Sequence, residues 1–260
     1  RRAENIGKKA VEKRKDRGAF FQHPFKFISD LLGKAKSGIF EWSVEEAEQL
    51  VNMCHSDPLR DEPLEECPNL IPVPVPHIQF DDSDFKINEV REVVRHGRAA
   101  SAPGPSGTSY AVYKHCPKLF RRLWKLLNGI WKAKDPPRRW SRADGCFIPK
   151  ELNSKTLDQF REISLLDVEG KIFWAIIARR MNKFLLQNQF IDTSVQKGGV
   201  AGIPGCLEHT ATITQLITEA KKSKKNLSVV WLDLEKAYPS VPHKLIEFAL
   251  AHYHFPEALQ

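Results

Sequence analysis

Residues 227–238 have the sequence LSVVWLDLEKAY, an apolar run that leads into a carboxylate. The β-branched and aromatic side chains predict a buried β-strand over 227–233. Such a strand would hold Asp233 at its rim, where a carboxylate oxygen suits Mg²⁺. Tyr238 follows close behind, so its ring can lie beside a bound sugar. The alternative, which is common, is an aspartate that caps the turn after a buried strand.

Upstream of this run, two further groups of residues have the chemistry of a binding site. Lys150 and Arg161 flank a short segment, and together they offer a point charge and a bidentate fork to a polyphosphate. The alternative is a pair of surface salt bridges. Gln196, Lys197 and Gly198 precede a second glycine, and glycines let a backbone approach a ligand closely. The alternative here is a flexible loop between helices.

Composition limits the class of protein. The chain has 260 residues, of which 42% are hydrophobic and 28% charged, as in a globular protein with one or two domains. No apolar run approaches the roughly 18 residues of a membrane span, and no apolar segment near the first residue indicates a signal peptide. The five cysteines form no C-x-x-C pair, so neither a zinc site nor a disulfide framework is indicated. These features predict an intracellular protein.

Positive charge is concentrated in one stretch. The net charge is +8, and residues 114–139 contain nine lysines and arginines against one acid, Asp135. Trp124, Trp131 and Trp140 are interleaved with these cations. Clustered cations favour a polyanion, because phosphate binding releases condensed counterions, so we expect this stretch and the basic residues 1–18 to bind single-stranded RNA. A solvated helix face is the alternative.

Local patterns predict a helix-rich α+β fold. Ser43 and Glu46 form a capping-box pattern, and a proline-rich, acidic stretch over 57–76 predicts an extended linker. We therefore predict a domain boundary at this linker. The apolar stripe of one long helix is predicted to be Leu119, Leu123, Leu126, Leu127, Ile130 and Trp131. Helices are predicted over 43–54, 87–100, 113–134, 170–188, 206–222 and 242–253, and strands over 146–149 and 227–233.

The order of the motifs resembles one known family. Several short stretches are similar, in the same order, to motifs of reverse transcriptases of non-LTR (LINE-type) retrotransposons. They are SAPGPSG (101–107), the series Trp140, IPK (148–150), FREISLL (160–166) and Gly170-Lys171, then QKGG (196–199), PGCLEH (204–209) and WLDLEKAY (231–238). The resemblance implies the fingers and the start of the palm of a right-hand polymerase over 85–260, preceded by an N-terminal extension over 1–84. Glu162, Lys236 and Pro239 depart from the family pattern.

The resemblance also implies roles for individual residues. Asp233 would be the catalytic ligand of Mg²⁺, of which the complete enzyme binds two ions, and Tyr238 would be the steric gate against a 2′-hydroxyl. Lys150 and Arg161 would hold the triphosphate, and Leu234 would place its backbone beside it. Gln196, Lys197 and Gly198 would contact the template.

The implied function is RNA-directed DNA polymerisation. The partners would be an RNA template, a DNA primer or target, and dNTPs, in the nucleus and cytoplasm and without a membrane. No aspartate follows Asp233, so we expect a chain truncated before the paired-aspartate motif and inactive on its own. The alternative function is a non-catalytic nucleic-acid-binding remnant or a reused fingers module.

Overall fold

The computed structural model describes residues 41–203, 205, 207–234, 237–238 and 240–260. Within them it contains helices and one two-stranded antiparallel sheet, in agreement with the predicted α+β class. Short 3₁₀ helices cover Arg138–Ser141, Leu157–Gln159 and Glu257–Leu259. The remaining elements, in chain order, are α1 (Val44–His55), α2 (Ile87–His96), α3 (Tyr110–His115), α4 (Pro117–Ala133), β1 (Ala143–Pro149), β2 (Phe160–Leu166), α5 (Val168–Gln187), α6 (Leu207–Ser223) and α7 (His243–His252).

The chain divides into two compact units. The described part of the smaller unit comprises residues 41–47 and Gly145–Ser164, and the larger unit comprises Glu48–Asp144 and Leu165–Gln260. In the smaller unit, the Trp42 indole donates a hydrogen bond to the carbonyl of Lys155 (3.2 Å). The domain boundary expected between residues 84 and 85 stays a prediction.

Helix α1 begins where its local sequence predicts. The backbone N–H of Ser43 donates to the Glu46 carboxylate (2.9 Å), and the N–H of Glu46 donates to the Ser43 hydroxyl (3.2 Å). This reciprocal pair satisfies two N–H groups that a helix leaves unpaired at its start. The capping-box prediction is confirmed.

The core of the larger unit lies between α2, α4 and α5. Helix α2 buries Val90, Val93 and Val94. Helix α4 buries Phe120, Leu123, Leu127, Ile130 and Trp131. Helix α5 buries a matching face that includes Ile172, Phe173, Ile176, Ile177 and Phe184. Apolar side chains at helical spacing therefore build this core.

The single helix predicted over 113–134 is two helices. The chain turns at Cys116, whose backbone is extended, and Pro117 opens α4. Proline suits the first turn of a helix but removes the N–H that a continuous helix would need. The predicted apolar stripe is also partly wrong, because Leu119 and Leu126 are exposed and Phe120 is buried instead.

The strand predicted over 227–233 is wrong. These residues are not in a strand, and the two strands of the described residues, β1 and β2, pair with each other. Trp231 is exposed, and Leu232 is 93% exposed. An apolar run becomes a buried strand only where a neighbouring strand satisfies its backbone and another layer covers its side chains. Here the described residues supply neither.

None of the described helices combines the length and the apolar character needed to cross a membrane.

Candidate functional site

Lys150 and Arg161 lie on the same face of the β1–β2 hairpin. The N–H of Lys150 donates to the carbonyl of Gln159 (2.7 Å), which sets Lys150 opposite Gln159 and Ile148 opposite Arg161. Paired residues of an antiparallel hairpin share a face, and so do residues two apart on one strand. Both cationic side chains are exposed. The Lys150 ammonium also donates to the carbonyl of Asp158 (2.5 Å), which directs it along the end of the hairpin.

Glu162 departs from the family pattern but faces away from Arg161. The two residues are neighbours in β2, and neighbours in a strand project to opposite faces. The Ser164 hydroxyl donates to the Glu162 carboxylate (3.4 Å) on that opposite face. The acid therefore does not share the face that carries Lys150 and Arg161.

The loop around Gln196 is held to the first turn of α6. Lys197 forms an ion pair with Glu208 (2.5 Å) and is only 14% exposed, while His209 is hydrogen-bonded to the carbonyl of Val195 (3.1 Å). Gln196 is exposed and donates its amide to the carbonyl of Gly198 (2.7 Å). The positive φ of 73° at Gly199 suits glycine, whose missing Cβ permits the left-handed conformation. The ammonium of Lys197 is thus already neutralised, whereas the Gln196 loop edge is accessible.

Asp233, Leu234 and Tyr238 are exposed, and none of the three belongs to a helix or a strand. Tyr238 is 95% exposed, so it is not a core tyrosine in this structure. These three residues belong to the larger unit, and Lys150 and Arg161 belong to the smaller one. The structure therefore brings Lys150 and Arg161 together as one group and Gln196, Lys197 and Gly198 as another.

Comparison with known proteins connects these groups to one class of protein. No family model matches the chain. A Pol polyprotein of the type-1 retrotransposable element R2 from Nasonia vitripennis is 30% identical over 170 residues, which are 65% of this chain and 15% of that protein. The R2DM Pol polyprotein of Drosophila melanogaster is 25% identical over 61% of the chain and 14% of the relative.

A third relative, named as a probable RNA-directed DNA polymerase from transposon BS of Drosophila melanogaster, is 22% identical over 61% of the chain and 18% of that protein. The chain is homologous to non-LTR retrotransposon Pol polyproteins. It spans less than a fifth of the length of these relatives. The resemblance seen in the motifs is confirmed.

Homology to these Pol polyproteins implies a divalent metal, and Asp233 fits it only in part. Its exposed carboxylate is a hard oxygen ligand of the kind that Mg²⁺ prefers. Among the residues that the structure describes, no group of three or more His, Cys, Asp or Glu side chains is placed to hold a metal ion. The described residues therefore do not form a complete metal site, and no chemical step is assigned to a metal.

A buried polar centre at the start of α5 was not predicted from the sequence. The Asp167 carboxylate accepts hydrogen bonds from the Ser106 backbone N–H (2.8 Å) and from Arg139 Nε (3.1 Å). Burial by itself raises the pKa of Asp167, but these bonds and the charge of Arg139 outweigh it and hold the pKa below its usual value. The sequence signal for this centre was the SAPGPSG stretch, which predicts a turn but does not predict its contact with Asp167.

Beside this centre, Tyr113 donates a hydrogen bond to Glu169 of α5. Burial and that hydrogen bond raise the pKa of Tyr113. The other carboxylate oxygen of Glu169, Oε2, is buried and accepts no hydrogen bond from the described residues. The start of α5 is thus a structural junction built from polar groups distant in sequence.

The tryptophans of the basic stretch are built into the fold: Trp131 and Trp140 belong to the core, and the half-buried Trp124 packs against it. Trp131 and Trp140 are buried, and the indoles of Trp124 and Trp131 donate to the carbonyls of Phe85 (2.7 Å) and Asp82 (2.9 Å). The interpretation of these rings as partners for RNA bases is not supported by their placement. The cations around them are exposed, so any nucleic-acid contact of this stretch would be electrostatic.

Proposed function

We propose that this chain is the nucleotide-holding part of an RNA-directed DNA polymerase of a non-LTR retrotransposon. One observation carries the proposal: two exposed cations, Lys150 and Arg161, share a face of one hairpin, in a chain homologous to retrotransposon Pol polyproteins. Such a pair suits a triphosphate, since Arg offers a planar fork and Lys a compact charge. The fingers-and-palm architecture of a right-hand polymerase belongs to the same proposal.

In this reaction the primer 3′-hydroxyl attacks the α-phosphate of a dNTP in line and displaces pyrophosphate. Lys150 and Arg161 hold the triphosphate and offset the charge that develops on it. Asp233 would supply one ligand to the Mg²⁺ ions, two in the complete enzyme, and the chemistry they would supply is neutralisation of negative charge. By the family resemblance, Leu234 would offer its backbone to the nucleotide and Tyr238 its ring to the sugar.

The template would be RNA and the primer or target DNA. Gln196 and Gly198 offer an accessible polar edge to the template strand, and Lys197 supports that edge through Glu208. A nuclear and cytoplasmic location accompanies this function in the proposal.

The hairpin cations provide the direct test. In the full-length polyprotein, Lys150→Ala and Arg161→Ala should each raise the KM for dNTPs by about 10- to 100-fold, the size of one lost hydrogen bond to a charged group. Lys155→Ala is the matched control, because Lys155 is an exposed lysine of the same smaller unit that has no proposed role. An equal effect of all three changes would contradict the proposal.

Substitutions of Asp233 and Tyr238 test the proposed nucleotidyl transfer. Asp233→Asn should lower nucleotide incorporation by orders of magnitude while RNA binding persists. Tyr238→Ala should raise the ratio of ribonucleotide to deoxyribonucleotide incorporation, since removal of the ring opens space for a 2′-hydroxyl, an effect of about 1–3 kcal/mol. An unchanged ratio would reject Tyr238 as the gate.

The 260-residue chain alone should extend no primer. If the full polyprotein stayed active after Asp233→Asn, the non-catalytic alternative would be favoured for this segment.

A further inference from the structure

A cavity of about 440 Å³ lies between α2, α3 and α4 of the larger unit. Its volume is within the range of roughly 300–1,000 Å³ found for ligand pockets. Its floor is apolar and consists of Ile87, Val94, Tyr113, Pro117 and Phe120. Val94 and Phe120 are core residues, so the floor is part of a firmly packed surface. None of these residues belongs to the proposed polymerase groups.

Four cationic side chains line the rim of this cavity, and the Lys114 ammonium among them donates a hydrogen bond to the carbonyl of Arg95 (3.0 Å). Arg91 and Arg95 lie one turn apart on α2, and Lys114 and Arg121 come from α3 and α4. No carboxylate is among the residues that line the cavity. Arg95 shares the exposed carboxylate of Glu92 (2.9 Å), an ion pair of the kind that contributes little to stability. Among the described residues the structure gives Arg121 no ion pair, so the rim keeps an excess of positive charge.

The floor suits an apolar side chain better than a nucleic-acid base. The guanidinium of Arg91 lies over the Phe120 ring, 5.9 Å from its centroid, and the Tyr113 hydroxyl is engaged by Glu169. Sequence-tolerant RNA binding uses open aromatic faces on which bases stack. One face of Phe120 is already covered. An apolar group inserted on this floor would be buried against Ile87, Val94 and Pro117, as in the centre of a protein interface.

We propose that this cavity is a docking site for a short acidic segment of a partner protein, in which a large apolar side chain is flanked by carboxylates. The apolar side chain would occupy the floor. The carboxylates before and after it would meet the cations of the rim, which are Arg91, Arg95, Lys114 and Arg121. This arrangement combines apolar burial in the centre with charge complementarity at the rim, which gives specificity.

Binding of a synthetic peptide tests the proposal. The probe is a fluorescein-labelled octapeptide, EEALFAEE, titrated with the full chain and compared with EEAGGAEE, which has the same charge and no apolar side chain. We expect the glycine peptide to bind about tenfold more weakly, and Arg121→Glu to weaken EEALFAEE binding about tenfold. Arg122→Glu is the matched control, because Arg122 is the next residue of α4, is also exposed and lies outside the cavity lining. It should change the dissociation constant less than about twofold.

Three outcomes would overturn the proposal. Equal binding of the two peptides would mean that the floor accepts no apolar side chain. Equal effects of Arg121→Glu and Arg122→Glu would mean that the peptide senses only the general charge of α4. One-to-one displacement of the peptide by a short oligouridylate, with the RNA weakened by Arg121→Glu, would make the cavity a nucleic-acid site instead. A thermal melt of each variant confirms that it is folded.

Discussion

At the scale of single residues, Arg180 holds the entry to α2 in place. Its guanidinium is buried and forms two hydrogen bonds with the Glu89 carboxylate (2.9 and 2.8 Å). It also donates to the carbonyls of Asp81, Ser83 and Asp84 and lies over the Phe85 ring. A buried charge with this many partners fixes the segment that precedes α2 against α5.

Removal of Arg180 should therefore be costly. Arg180→Met leaves Glu89 with an uncompensated charge and three carbonyls without their donor, so we expect the free energy of unfolding to fall by about 3–5 kcal/mol in urea titrations. Arg179→Met is the matched control, since Arg179 is exposed, and should change stability by less than about 0.5 kcal/mol. Adding Glu89→Leu to Arg180→Met should recover part of the loss. Similar losses for Arg179 and Arg180 would contradict this role.

The same ion pair makes stability depend on pH. Burial by itself raises the pKa of Glu89, but the hydrogen bonds and charge of Arg180 and the N–H of Lys86 outweigh it and lower the pKa. A carboxyl whose pKa is lowered by folding stabilises the protein above its unfolded pKa, 4.5 for Glu89, and that contribution is lost as the pH falls through the folded-state value.

We expect Glu89→Gln to be less stable than the parent chain at neutral pH and to lose less stability on acidification. The measurement is the free energy of unfolding between about pH 6 and about pH 3. Glu66→Gln, at an exposed position of the proline-rich stretch, should follow the parent curve. If the curves of Glu89→Gln and the parent chain were parallel, the stabilisation by Glu89 would not depend on its charge.

At the scale of elements, two glycines lie in different surroundings, so replacing each of them by alanine should have opposite effects on stability. A Cβ at Gly104 would lie 2.3 Å from the carbonyl carbon of Leu166 and 2.5 Å from the nitrogen of Asp167, whereas Gly129 within α4 has open space around that position. Gly104→Ala should therefore destabilise the chain by about 1–3 kcal/mol. Gly129→Ala should stabilise it by about 0.4–1 kcal/mol, because alanine is the better helix former. Thermal unfolding of both variants checks the signs, and a destabilised Gly129→Ala would contradict the open placement.

Some secondary-structure elements could be predicted from the sequence and others could not. Helix α1 depends on Ser43 and Glu46, which are three residues apart, so its start was visible locally. The exposed segment around Trp231 was misjudged, because burial of an apolar run depends on a distant partner and not on the run itself. Pro117 is a local signal for a break, but the apolar periodicity continues on both sides of it and therefore predicts one helix.

At the scale of the whole molecule, the same distinction applies to the candidate site. The motif order was sufficient to recognise the relationship to retrotransposon polyproteins, since each motif is short and local. The common face of Lys150 and Arg161 required the register of the hairpin, which only the fold supplies. The junction of Ser106, Arg139 and Asp167 was missed because its members are separated by tens of residues.

The exposed cations of α4 lead to a prediction for the whole chain. Lys118, Arg122 and Lys125 have the spacing of one helix face and are exposed, while the nearby tryptophans are packed in the core or against it. Binding of single-stranded RNA should therefore be electrostatic, and the logarithm of affinity should fall linearly with the logarithm of salt, with a slope of about −0.7 per phosphate neutralised.

Fluorescence anisotropy with a labelled oligouridylate over a salt series measures this slope. A triple change of Lys118, Arg122 and Lys125 to glutamate should weaken binding and flatten the slope by about two units, since three fewer phosphates are neutralised. Trp124→Leu removes the aromatic ring and is the control for base stacking: it should leave both the affinity and the slope unchanged, because the indole is bonded to the Phe85 carbonyl inside the fold. An affinity that does not vary with salt would mean that RNA is held by contacts other than these cations.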